Sequence, residues 1–128
     1  MILIIGSNGQ LGREMQKALT KRDVAFKACD YPEIDIANPQ SMEQLIAETK
    51  PDAVVNCAAY TNVDNAESDY DHAYQINALG PKNLALSCNR HGIELVHIST
   101  DYVFSGEAIL ENGAPRPYIE SDMPAPVT

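Results

Sequence analysis

Hydrophobic and polar positions along this chain switch repeatedly between two periods. Ile2-Leu3-Ile4-Ile5 is an unbroken, largely β-branched apolar run, too short for a helix, and it predicts a strand buried on both faces. It stops at Gly6, after which Leu11, Met15, Ala18 and Leu19 recur at helical spacing. Val24–Cys29 reads as a second strand ending at Asp30. Asn38-Pro39 supplies an N-cap and a first helical residue, with Met42, Leu45, Ile46 and Thr49 along one side and Pro51 as the stop. Ala53–Asn56 is a third buried strand. From Asp71 to Arg90 a helical pattern turns Ala73, Ile76, Leu84 and Cys88 inward, with a kink expected at Gly80-Pro81. Ile93–Ile98 is a fourth strand, expected at an unprotected sheet edge. Strand–helix–strand units of this length force parallel pairing and right-handed crossovers. The predicted class is α/β, a doubly wound, Rossmann-type parallel sheet in three α/β/α layers.

The pattern is lost after Phe104. Four of the eight prolines (Pro115, Pro117, Pro124 and Pro126) fall there with Gly106 and Gly113. Residues 1–104 are therefore expected to form one Rossmann-type domain, and 105–128 a Pro/Gly-rich loop.

The first strand ends in glycines three apart, Gly6, Gly9 and Gly12, and a helix opens at once. That arrangement offers bare backbone N–H groups and a helix N-terminus to a pyrophosphate. Gly6 is expected to allow the turn, Gly9 to clear space for phosphates, and Gly12 to let the helix sit close. No Lys-Ser/Thr follows, which excludes an ATPase-type phosphate loop. Gln10 and Leu11 lie in the same first turn. Because ligands of a parallel sheet lie beyond the carboxyl ends of its strands, the other strand ends complete the candidate site. Asp30, 18 residues after Gly12, is placed to accept hydrogen bonds from an adenosine ribose, and its charge disfavours a 2′-phosphate. Asp35 and Ile36 follow, Asp35 within reach of an adenine amine or as a loop cap. After strand three, Ala58, Ala59, Tyr60 and Thr61 let the backbone pass close to a flat ligand, with Cys57 as filler. After strand four, Thr100 is placed to donate a hydrogen bond to a developing alkoxide, and Asp101 to orient a sugar hydroxyl.

Composition narrows the partners. With 128 residues, 45% hydrophobic and 21% charged, the chain has the make-up of a soluble globular domain. The net charge of −9 argues against nucleic acid and anionic membranes as partners. No apolar run is long enough to span a bilayer, and no leader is expected. Three well-separated cysteines suit reduced thiols and a cytoplasmic location. His72, His91 and His97 match no metal-ligand spacing.

Taken together, Gly-Ser-Asn-Gly-Gln-Leu-Gly, Asp30, Asp35-Ile36, Asn-Cys-Ala-Ala-Tyr-Thr-Asn-Val-Asp-Asn-Ala-Glu, Ile-Asn-Ala and Ser-Thr-Asp-Tyr-Val-Phe resemble the dTDP-4-dehydrorhamnose reductases, extended short-chain dehydrogenase/reductases. The resemblance runs the length of the chain. It implies reduction by NADPH or NADH of the C4 keto group of a nucleotide-sugar substrate, dTDP-4-dehydro-L-rhamnose. Gly9-Gln10-Leu11, Asp30, Asp35-Ile36 and Ala59-Tyr60-Thr61 would hold the cofactor. Thr100 would be the catalytic hydroxyl, and Thr100-Asp101 would touch the substrate. The family's proton donor, the Tyr of a Tyr-x-x-x-Lys pair, has no counterpart in these residues. The chain is thus expected to be truncated before that catalytic helix and inactive alone. A homodimer, and a Mg²⁺ ion used by some relatives, are left open. Two other readings stand: a non-catalytic NAD(P)-binding module similar to the regulatory beta subunit of methionine adenosyltransferase, and a fragment of a nucleotide-sugar epimerase or dehydratase.

Overall fold

A computed structural model describes residues 1–127 of the chain. It divides into two units, Met1–Ile98 and the residues from Ser99 onward. In the first, four strands alternate with helices: β1 (Ile2–Ile5), α1 (Gln10–Lys21), β2 (Phe26–Cys29), α2 (Pro39–Thr49), β3 (Ala53–Asn56), α3 (Val63–Ala66), α4 (Tyr70–Tyr74), a π-helical turn (Gln75–Leu79), α5 (Gly80–His91) and β4 (Glu94–His97). The strands form one parallel sheet in the order β2-β1-β3-β4.

Alternation along the strands sorts their side chains to two faces. Leu3, Ile5, Cys29 and Val54 pack with Met42, Leu45, Ile46, Leu84 and Cys88 from α2 and α5, closing the main core. Ile4 and Val55, also buried, point to the opposite face, and α1 lies against β1 and β2 with Leu19 buried. Helices on both faces make the sheet doubly wound, as its sequence pattern predicts.

Three details depart from that pattern. Strand β2 starts at Phe26 rather than Val24, because the Val24 N–H is used at the end of α1, donating to Leu19 O at 3.0 Å. Leu11 projects from α1 with 41% of its surface exposed instead of joining the buried face. The irregularity expected at Gly80-Pro81 sits one turn earlier, as the π turn. Pro81 has no N–H to give and its ring crowds the carbonyl four residues back, and an extra residue in the preceding turn relieves both.

In the second unit a 3-10 turn (Asp101–Val103) precedes β5 (Ile109–Glu111) and β6 (Ala114–Arg116), an antiparallel hairpin. Asn112 and Gly113 join its strands with φ of 54° and 80°. Two positive φ angles in succession give the turn whose twist matches a two-residue hairpin. The Phe104 and Tyr118 rings stack at 4.3 Å, and Arg116 grips Asp122 with two hydrogen bonds of 2.8 and 2.6 Å. Where the sequence suggests only an irregular loop, a local hairpin, ring stack and ion pair give order.

Candidate cofactor site

The topology sets where a ligand can lie. From β1 the chain goes to β2 on one side, then crosses to β3 on the other, so the loops after β1 and β3 part and leave a crevice. A cleft of about 530 Å³ opens there.

Its floor is the loop after β1. Gly6 has φ of +76°, and a Cβ on it would lie 2.4 Å from the backbone nitrogen of Ala58. A Cβ on Gly12 would lie 2.3 Å from Gly6 O. These two positions bring the loop, the β3 end and helix α1 within touching distance. A Cβ on Gly9 meets nothing closer than Gly6 O at 3.4 Å, so its side is the open one. Gly9 is also the N-cap of α1, and no side chain caps that helix. By contrast, Asn38 and Asn62 cap α2 and α3 through their amide oxygens. The first-turn N–H groups of α1, with the positive end of the helix dipole, are left for a ligand. Among the described residues, no Lys or Arg lines the cleft.

Strand β2 delivers Asp30, whose carboxylate accepts the Asn8 N–H at 2.6 Å and the Tyr31 N–H at 2.8 Å. It thereby ties the end of β2 to the glycine loop and holds a negative charge in the cleft wall. Asp35 reaches the same cleft with one oxygen accepting the Ala37 N–H at 2.9 Å, a loop cap. Ile36 faces the cleft and the core at once, its side chain lying where a Cβ on Gly80 would go.

Strand β3 delivers Cys57, Ala58, Ala59 and Tyr60 to the opposite wall. Burial pushes the Cys57 thiol up, which keeps it protonated and makes it a poor nucleophile. Tyr60 is pinned by Asn77: its N–H donates to Asn77 Oδ1 at 2.8 Å, and its carbonyl accepts from Nδ2 at 2.9 Å. Its hydroxyl donates to Asp69 at 3.4 Å, and its ring meets His72 edge-on at 5.4 Å. Burial, with the Asp69 carboxylate beside it, pushes the phenol up.

Of the sequence-derived candidates, Gly6, Gly9, Asp30, Asp35, Ile36, Ala58, Ala59 and Tyr60 line this one cleft. Gln10, Leu11 and Gly12 form the first turn of α1 beside it, and Thr61 is exposed outside the lining. Thr100 and Asp101 belong to the second unit. There the Thr100 hydroxyl oxygen accepts the Tyr102 N–H at 3.2 Å, capping the 3-10 turn, and its proton points toward Asp101 Oδ1 at 3.5 Å. Sequence reasoning missed Tyr31, Ile34, His72, Gln75, Ile76 and the clamp Asn77 as site residues. The Ile-Asn-Ala run is the one sequence sign of that clamp. Its use depends on the π turn, which periodicity does not reveal.

Comparison with known proteins supplies the deciding observation: residues 1–128 match the family model described as the RmlD substrate binding domain. The chain belongs to that family. The dTDP-4-dehydrorhamnose reductase of Mycobacterium tuberculosis is 42% identical over 125 residues, covering 98% of this chain and 40% of the relative. A dTDP-4-dehydrorhamnose reductase structure from Clostridium acetobutylicum is 49% identical with a TM-score of 0.87, covering 98% of this chain and 42% of that one. The Bacillus anthracis enzyme, solved in complex with NADP, is 40% identical with a TM-score of 0.88, over 98% and 43% of the two chains. The chain thus spans about two-fifths of the length of the family members it matches.

Proposed function

We propose that this chain is the cofactor-binding part of an NADPH- or NADH-dependent dTDP-4-dehydrorhamnose reductase, which reduces the C4 keto group of dTDP-4-dehydro-L-rhamnose to dTDP-L-rhamnose. The observation that carries the reading is the cleft at the switch between β1 and β3. It joins an uncapped helix terminus, glycines that let the loop, the β3 end and α1 close on one another while the Gly9 side stays open, and a carboxylate at the end of β2. These residues suit a dinucleotide. The α1 N–H groups would take the pyrophosphate, Asp30 a ribose hydroxyl, Asp35 and Ile36 the adenine side, and Ala58–Thr61 the far ribose. When bound, the cofactor supplies a hydride.

The chain's own contribution to the chemistry is orientation and a hydrogen bond. Thr100 already uses a lone pair on Tyr102 N–H, and its proton makes only a long contact with Asp101 Oδ1 at 3.5 Å, which would give way for it to donate to the ketone oxygen as negative charge develops there. Asp101 would orient a neighbouring sugar hydroxyl. The 128 residues contain no Tyr-x-x-x-Lys pair, so no residue here is assigned to protonate the alkoxide. Titration with NADPH and NADH tests the reading: saturable binding of at least one is expected, and no binding of either overturns it. Incubation of the 128-residue chain with the keto-sugar and NADPH is expected to leave the reduced cofactor's absorbance unchanged. Turnover would locate a proton donor among these residues.

A further inference from the structure

Asn56 is buried at the carboxyl end of β3, and both arms of its amide are engaged. Its Oδ1 accepts the Ala58 backbone N–H at 3.1 Å, and its Nδ2 lies 3.1 Å from Nδ1 of His97. The two residues face each other across neighbouring strands. A backbone N–H can only donate, so the amide oxygen must turn to Ala58 and the NH₂ group to His97. An N–H donor can approach a ring nitrogen only along a lone pair. That fixes the state of the ring: Nδ1 is bare and the proton of the neutral imidazole is on Nε2. In the imidazolium, N–H would be set against N–H.

We propose that His97 is a positioning residue for the cleft: the neutral ring holds Asn56, Asn56 holds the Ala58 N–H between the Cys57 amide bonded to Ile5 O and the Asn77-clamped Tyr60, and protonation of His97 loosens the wall at Ala58. The effect on a ligand rests on the reading of the cleft as a dinucleotide site. Within Met1–Ile98 the other two histidines have carboxylate partners, His72 with Asp69 and His91 with Glu43, and His97 has none. Neither β3 nor the π turn carries an ionisable group. On α5, Arg90 and His91 are held to Glu43, Lys82 is exposed and Cys88 is buried in the core. Glu94, on the same strand, points to the other face of the sheet. The latch is therefore one unshared hydrogen bond, made when the ring is neutral and lost when it is charged.

Two measurements on the protein test this. In ¹⁵N NMR of histidine-labelled protein at about pH 8, His97 is expected as the Nε2–H tautomer. A proton on Nδ1 overturns the assignment without any mutation. NADH affinity is then compared at about pH 8 and about pH 5.5, across the range in which histidines titrate, for the wild type, His97→Asn and His97→Leu. Asn carries an amide oxygen in place of Nδ1 and does not titrate, whereas Leu offers no acceptor. His97 is exposed on its far side and the hydrogen bond to Asn56 is partly buried, so the wild type is expected to lose about threefold to tenfold in affinity on acidification, as for one lost hydrogen bond. His97→Asn should lose less, and His97→Leu should bind weakly at both values. A wild-type pH profile in His97→Asn, or wild-type affinity in His97→Leu at the higher pH, overturns the proposal. Should NADH bind none of the three while the tautomer is as assigned, the cleft's function falls and the cofactor effect with it, a result separate from failure of the latch.

Discussion

Gly12 is held so close to the loop after β1 that a single added carbon would sit inside the contact radius of Gly6 O and Ser7. Gly12→Ala is therefore expected to push α1 off the loop, destabilise the protein by about 1–3 kcal/mol and weaken NADPH binding by about tenfold or more. Urea denaturation and cofactor titration read the two effects, and unchanged affinity would separate the glycine from the cradle. Asp122 offers a second residue-scale test. The Arg116 hydrogen bonds, then the Ile119 N–H, draw its carboxyl down to about 2. A folded-state value below the usual carboxylate range of about 3.9 means that the charged form favours the folded state. This contribution is fully present above about pH 4 and is lost as the pH falls through about 2. The Ile119 amide shift, followed by NMR, should move with that titration, and in Asp122→Asn it should stay flat.

Elements whose period is carried by several side chains were legible in the sequence; elements fixed by one local device were not. Four apolar residues ending at a glycine were enough for β1, and Asn38-Pro39 marked the start of α2 because cap and fixed φ act on adjacent residues. Helix α3 is four residues long, too short to display a period, and depends on the Asn62 cap. The hairpin of β5 and β6 was hidden by Pro115, which suits a strand in a two-stranded ribbon but reads as a breaker. The π turn escaped for the same reason: one proline shifts the register, and the side chains around it carry no sign of where the extra residue goes. That turn matters because it carries the Asn77 clamp. Asn77→Ala should speed hydrogen exchange at the Tyr60 amide by about tenfold and cost about 1 kcal/mol. Unchanged exchange at Tyr60 would mean the loop is held by other contacts.

For the molecule as a whole, β4 pairs on one side only among the described residues, and Val96 and Ile98 expose 51% and 47% of their surface. An apolar strand with a free edge recruits further strands. The weight-average mass by light scattering is expected to rise with concentration for the 128-residue chain and to stay monomeric in Val96→Lys. A wild type that remains monomeric would show the edge to be inert. Of the candidate site, the cleft walls were legible because the parallel-sheet rule turns strand ends into neighbours; the pairing of Asn56 with His97 was not, since it needs the register between two strands. The absence of Lys and Arg from the cleft lining has one more consequence. A pocket lined with cations loses affinity for an anion as ionic strength rises, because counterions compete for its charges. On the proposed reading an anionic dinucleotide would approach a protein of net charge −9 and be gripped by backbone dipoles at close range. Added salt screens the long-range repulsion and leaves the short-range grip, so binding should hold steady or tighten from dilute buffer to physiological salt.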